Sequence, residues 1–175
     1  MNIFDSTKRF HGLGERDRLL LQIAVTLHAC GKFISMKNSN ECGYALIMST
    51  EIIGLSHLER EIIANVVRYN IRDFDYDMMQ LETEAGQDLA GVSDRTAITI
   101  LIAKLTAILR LANSMDKTHK AKLIDSRMAV RDGQLVITTG YKGDLALESA
   151  SFEQKAAFFE EIFGIRPVLK QKRRV

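Results

Sequence analysis

One proline in 175 residues, Pro167, leaves nearly the whole chain free to run in unbroken helices. Proline stops helix propagation because it lacks the backbone donor and its ring clashes with the preceding turn. The apolar spacing uses that freedom. From about Asp17 to Phe33 the run Leu19-Leu20-Leu21-Gln22-Ile23-Ala24-Val25-Thr26-Leu27 predicts a helix buried on more than one side. Lys37-Asn38-Ser39-Asn40 is a polar break, and a second helix covers Gly43 to Ile53, closing at Gly54 as its C′ residue. Ser56-His57-Leu58-Glu59 has capping-box spacing and opens a helix to about Tyr69, with Leu58, Ile62, Ile63, Val66 and Val67 as its stripe. Arg72 to Gly91 is acidic and mixed, a loop with at most one short helix. Ser93 then caps the longest helix, Asp94 to about Met115, whose apolar face holds Ile98, Leu101, Leu105, Ile108, Leu109 and Ala112.

After Ala121 the period changes. Leu123 to Val130, Leu135 to Thr139 and Leu145 to Leu147 predict strands, and Asp132-Gly133 is a hairpin signal between the first two. Ser151-Phe152-Glu153-Gln154 offers another capping box, starting an amphipathic helix with Phe158, Phe159, Ile162 and Phe163 that ends at Gly164. Pro167 opens a last strand, Val168 to Lys172. The fold class is therefore mainly α: a helical domain over residues 1–121, followed by a small α+β appendage (β-hairpin, helix, strand) over 122–175.

An apolar share of 46% with 26% charged residues is that of a soluble globular protein. A net charge of +2 gives no reason to expect nucleic acid as a partner. Lys170, Lys172, Arg173 and Arg174 crowd the last positions and read as a solvated tail, with a polyanion contact as the alternative. Two cysteines, Cys30 and Cys42, are too few for a disulfide scaffold and fit a reducing cytoplasm, with Cys30 a small core residue. The N-terminal residues lack the order of a signal peptide. The apolar stretch Ala97 to Leu111 is interrupted by Lys104 and Arg110 and is too short and polar to span a membrane.

Which residues could carry chemistry is a short question. The histidines are His11, His28, His57 and His119, and no two share a helix face at i, i+3 or i, i+4. His28 alone lies in a motif, Leu27-His28-Ala29-Cys30-Gly31-Lys32; a single histidine among apolar neighbours is ordinarily a hydrogen-bonded core residue. Asp116 ends the long helix. A Gly-x-Ser-x-Gly elbow and a Cys/His/Asn set are both missing, and Cys30 and Cys42 have no basic neighbourhood beyond Lys32, which speaks against reactive thiols. His11-Gly12-Leu13-Gly14 is neither a P-loop nor a dinucleotide fingerprint and reads as a turn before the first long helix. What remains is a polyanion face. Thr106, Arg110, Asn113 and Lys117, at i, i+4, i+7 and i+11, share one side of the long helix, followed by His119, Lys120 and Lys122. With Arg68 and Lys32 at the ends of two other helices, antiparallel packing would bring these cations to one groove able to bind phosphate without a metal. The plain alternative is a solvated helix face.

The Leu27–Lys32 segment resembles the LHDxGK segment of the HD superfamily of metal-dependent phosphohydrolases. There a His-Asp pair ligates the metals that activate water. In this chain Ala29 stands in the place of that Asp, and a methyl group cannot ligate a hard cation. His28 and Asp116 are then the remnants of a degenerate metal site. Phe10–Arg16, Leu27–Lys32, Ile52–Ser56, Arg60–Tyr69, Lys104–Ala112 and Phe163–Pro167 together resemble, in order, the C-terminal half of the exopolyphosphatase / guanosine pentaphosphate phosphatase (Ppx/GppA) family.

That resemblance implies an HD-domain-like helical bundle with a terminal αβ module. It implies that catalysis and Mg2+ belong to an ATPase-like N-terminal half, which this sequence does not contain. No cofactor is expected in this chain and no residue of it is expected to be catalytic. The expected partners are that N-terminal catalytic half, a second copy in a homodimer, and polyphosphate or guanosine pentaphosphate through the parent enzyme. Lys32, Arg68, Arg110 and Lys117 are the positions that would contact phosphates, and the domain would also tune chain-length preference. Two other functions stay open on the residues: a divergent metal phosphohydrolase using His28 and Asp116, and a pure protein-interaction module.

Overall fold

Along the chain run helices α1 (Asn2–Ser6), α2 (Lys8–His11) and α3 (Glu15–Leu27), a 3-10 turn (Cys30–Phe33), and helices α4 (Ser39–Ser49), α5 (His57–Tyr69) and α6 (Arg95–Ser114). Strands β1 (Arg127–Arg131) and β2 (Gln134–Thr139), helix α7 (Ala146–Phe163) and strand β3 (Arg166–Gln171) follow. A computed structural model of the chain describes residues 1–76, 79, 81 and 95–172. Most of the Arg72–Gly91 stretch, the proposed cap Ser93–Asp94, and Arg173 and Arg174 lie outside the described residues. The fold is mainly helical with a three-stranded sheet, as the periodicity predicts. By packing it forms two compact units, 14–106 and 1–13 with 107–175.

In the unit 14–106, α3 starts before Asp17, because the Asp17 carboxylate accepts the Gly14 N–H (2.8 Å) and closes the first turn. The helix also stops at Leu27, short of the expected Phe33, and the chain tightens into the 3-10 turn. There Gly31 lies directly on the α4 backbone: a Cβ at this position would stand 1.9 Å from the Ser39 carbonyl oxygen and 2.5 Å from the Gly43 nitrogen. Helix α4 begins inside the predicted polar break and ends at Ser49, not Ile53. The Ser49 and Thr50 hydroxyls both donate to the Leu46 carbonyl (3.1 and 2.7 Å), and Thr50 is extended. Gly54, with φ +88°, belongs to the following turn and does not cap the helix.

Helix α5 matches its sequence signals. Ser56 Oγ accepts the Glu59 N–H (3.2 Å) while Glu59 Oε2 accepts the Ser56 N–H (2.9 Å). Arg16 clamps the same carboxylate at 2.6 and 2.8 Å and donates to the Gly54 carbonyl, tying the start of α3 to the start of α5. That bond to Arg16 holds the Glu59 carboxyl below its usual range. The expected stripe is buried, and so are Glu61, Ala64 and Asn65, so α5 is enclosed on nearly every side against α3 and α4. Helix α3 is the opposite case. Leu20, Leu21 and Ala24 are buried, but Leu19 and Val25 are exposed. In place of the expected second buried side there is an apolar groove of about 570 Å³, lined by Leu19, Ile23, Leu27, Cys30, Leu46 and Ile52 among others. Cys30 is thus half-buried beside this groove, outside the core, and burial pushes its thiol up, which leaves it a poor nucleophile.

Helix α6 buries Ile98, Leu105, Ile108 and Leu109 as predicted, and also Ile102, Ala103, Thr106, Ala107, Arg110 and Leu111. With mean hydropathy 1.5 over its apolar window it has the length and composition of a membrane-crossing helix, beyond what the Ala97–Leu111 stretch suggests; 56% of that window is buried within the protein.

In the other unit, α1 packs against β1 and buries Ile3 and Phe4. Asp132 (φ 50°) and Gly133 (φ 72°) make the predicted two-residue hairpin turn, with both central residues left-handed. Strands β1 and β2 pair antiparallel with Arg131 opposite Gln134, and β2 and β3 pair parallel across α7. The expected strand Leu145–Leu147 is instead the start of α7. Asp144 Oδ1 accepts the Ala146 N–H (2.8 Å), and Leu145, Glu148, Phe152, Ala156, Phe159 and Phe163 recur, buried, at helical spacing. Ser151 is therefore inside the helix and caps nothing. The helix ends at Gly164, φ 66°, as predicted. Leu123 is buried ahead of β1, which starts at Arg127, and β3 starts at Arg166, ahead of Pro167.

Candidate functional site

His28 sits at the end of α3, its Nδ1 2.6 Å from the Val25 carbonyl oxygen. A carbonyl only accepts, so Nδ1 carries the proton and Nε2 is the ring's acceptor. Ala29 follows and opens the 3-10 turn. Asp116 is already engaged: its Oδ1 accepts the Ala121 N–H at 2.9 Å. His28 belongs to the unit 14–106 and Asp116 to the other. Among the described residues no three of His, Cys, Asp and Glu come together in a way that could hold a metal ion. Beside His28, Ala29 presents only a methyl group, which cannot ligate a hard divalent cation.

His11, one of the unassigned histidines, is a structural residue. Its Nδ1 accepts the Leu13 N–H (2.9 Å), so Nε2 carries the proton and donates to the Phe4 carbonyl (2.9 Å). The ring is buried against Phe4, with centroids 4.3 Å apart.

The four candidate phosphate contacts have different surroundings. Lys32 is exposed on the 3-10 turn. Arg68 is half-buried and held by Glu41, with Nη2–Oε2 2.8 Å and Nε–Oε1 3.0 Å, while its guanidinium lies 4.9 Å from the Tyr44 ring centre. Arg110 is only 5% exposed and stacks over Phe158 at 4.7 Å. Lys117 is exposed, but α6 ends at Ser114, so Lys117 is not on the helix and the i to i+11 stripe is broken. Thr106 and Arg110 are buried, so their side of α6 is not a solvated face. Lys32 and Arg68 lie in one compact unit, Arg110 and Lys117 in the other.

The strongest electrostatic feature is one that the motifs did not flag. Glu148, on the first turn of α7, has a fully buried side chain. The Thr118 hydroxyl donates to its Oε1, and the Lys122 ammonium to its Oε2 (3.1 Å). Those two donors, Thr118 foremost, hold its carboxyl down at about 2. Lys122 also donates to the Asp144 carbonyl (2.9 Å), so one buried cluster ties the loop after α6 to the start of α7. A depressed carboxyl stabilises the fold above the unfolded value of 4.5 and loses that contribution as pH falls toward about 2. Thermal melts of Glu148→Gln should therefore lie below wild type at pH 6, and the gap should close as the pH is lowered through that window. A gap that is constant with pH would contradict the assignment.

Lys122 forms the wall of a cleft of about 450 Å³ in the same unit, at the end of the sheet, which Lys120, Arg127 and Lys172 also line. Only the bare succession His119-Lys120-Lys122 pointed here. The cleft itself arises from strand pairing, which puts the start of β1 beside the ends of β2 and β3.

A protein-family model, Ppx/GppA phosphatase, domain III, matches residues 1–156. A search of curated proteins finds no match.

Proposed function

We propose a function on one premise: the chain belongs to the Ppx/GppA phosphatase family, as its domain III. Its role is to hold the phosphate polymer for a Ppx/GppA enzyme, and it does not itself cut the polymer. The observation that carries this is Ala29. Beside the imidazole of His28 the chain presents a side chain with no donor, so this position can neither charge-balance a metal nor orient an attacking water. Magnesium belongs, on this account, to a separate catalytic half, and no step runs through this chain's residues to it. The substrate of the whole enzyme is polyphosphate or guanosine pentaphosphate.

Binding then rests on cations. Lys32 and Lys117, both exposed, are open to direct phosphate contact. At Arg68 a phosphate competes with the Glu41 carboxylate for the guanidinium, and Arg110, buried over Phe158, acts through its field. Self-association and a share in chain-length preference are part of the same proposal. The exposed apolar side chains Phe33, Ile34, Met36 and Ile53 support the first of these; Phe33 is 95% exposed. The setting proposed is the cytoplasm.

Titration of the chain with long-chain polyphosphate tests this. The account expects binding at low salt that weakens roughly ten-fold or more between about 50 and about 300 mM salt, because exposed charges are screened over that range. No binding at low salt, or binding indifferent to salt, contradicts it.

A further inference from the structure

We infer that the cleft at the carboxyl ends of β2 and β3 is a binding site for a run of phosphates. This deepens the polyphosphate reading and rests on it, but it uses none of the four residues assigned above. The cleft is lined by Lys120, Lys122, Arg127, Thr138, Tyr141 and Lys172, and Asp125 is the one carboxylate in its lining.

Topology places it. Parallel strands β2 and β3 end together, Thr139 opposite Gln171, and Arg127 begins β1 opposite Thr138. The crevice beyond the carboxyl ends of parallel strands is where open α/β sheets take their ligands. The Lys172 N–H donates to the Thr139 carbonyl (3.0 Å), which fixes where the chain leaves β3. On the other side, His119 (φ 52°) and Ala121 (φ 50°) are both left-handed and bracket Lys120. Alanine in that region is strained, and the Asp116 carboxylate holds it there through the Ala121 N–H. The loop that carries Lys120 is thus built, with its backbone fixed on both sides of the lysine.

Charge decides the ligand's sign. Lys122 is matched by Glu148 and serves as the wall. Lys120, Arg127 and Lys172 are exposed and form no ion pair among the described residues. Three such cations around one cleft, against Asp125 alone, gain most from a multivalent anion. Lysine supplies point charges and arginine a fork that matches two phosphate oxygens, and the Thr138 and Tyr141 hydroxyls add neutral donors. Tyr141 is the single aromatic in the lining, and the Lys122 ammonium stands 6.0 Å from its ring centre, so there is no series of platforms for successive bases. That favours a bare phosphate chain over single-stranded nucleic acid. A smaller groove of about 190 Å³ continues from Arg127 along β1 to Arg131, extending the cationic lining in one direction as a polymer requires.

Calorimetric titration of the full chain with tripolyphosphate, and separately with GTP, which carries three phosphates on a nucleoside, tests the site. Arg127→Ala/Lys172→Ala should bind tripolyphosphate roughly 30-fold more weakly, with an unchanged melting temperature, because two charge-assisted contacts are lost. Lys120→Ala should weaken it several-fold. Lys37→Ala, at an exposed lysine outside the cleft lining, should keep wild-type affinity, and GTP should lose affinity in parallel with tripolyphosphate. Wild-type affinity in Arg127→Ala/Lys172→Ala, with weakening in Lys32→Ala/Lys117→Ala, would overturn this site and leave the polyphosphate reading standing. GTP binding that survives the loss of Arg127 and Lys172 would mean contact through the base and would overturn it too. Wild-type protein that ignores tripolyphosphate altogether would sink both.

Discussion

Gly31→Ala should destabilise the protein by about 3 kcal/mol or more, at the upper end of overpacking effects. For a chain of this size that is a fall in melting temperature of roughly 10 °C. The added methyl would stand 1.9 Å from the Ser39 carbonyl oxygen and 2.5 Å from the Gly43 nitrogen. Both are backbone atoms of α4 or its start, so no side chain can swing aside, and the 3-10 turn must separate from the helix. Gly140→Ala is the matched control. Nothing lies within 4 Å of its added methyl and its φ is not positive, so its melting temperature should stay within a degree or two of wild type. Equal melting curves for the two variants would mean that the 3-10 turn does not pack on α4 as described.

The second large effect is in the other compact unit. Phe159→Ala should cost about 3 to 5 kcal/mol, the range for removing a fully buried aromatic ring. Phe159 has no exposed surface and its ring centre is 4.5 Å from that of Phe163. It lies on the face of α7 that also buries Phe152 and Ala156, and α7 is the crossover that joins β2 to β3. Loss of the ring leaves a cavity on the buried face of α7, which packs against β3. Denaturant unfolding measures it directly; a loss under about 1 kcal/mol would be that of a surface position and would contradict the packing.

These two positions also show what the sequence could and could not tell. Gly31 was visible as part of Leu27–Lys32, but periodicity carried the helix straight through it to Phe33. Backbone contact between elements leaves no trace in apolar spacing. The α5 boundaries were legible because Ser56 and Glu59 cap locally, three residues apart. Gly164 and Asp132-Gly133 were legible for the same reason: a left-handed backbone is a local demand. The start of α7 was not. Leu145-Ala146-Leu147 alternates like a strand, and what settles it is Glu148, a charged residue at a buried helical position that becomes tolerable only once Thr118 and Lys122 reach it. The same long-range closure explains the cationic cleft. Lys172 is far along the chain from both Arg127 and Lys120, and only strand pairing brings Arg127 and Lys172 to one sheet end. Conversely, the stripe Thr106-Arg110-Asn113-Lys117 rests on helical spacing alone, and both the burial of Arg110 and the end of α6 at Ser114 remove its open face.

The remaining question is whether Ala29 leaves the chain without hydrolytic chemistry of its own. Metal content of the gently purified protein, measured together with orthophosphate release from polyphosphate with and without added manganese or magnesium, addresses it most directly. The account predicts substoichiometric metal and no turnover under either condition. Stoichiometric bound metal with phosphate release would mean that other ligands have replaced the missing carboxylate, and the chain would be a phosphohydrolase in its own right.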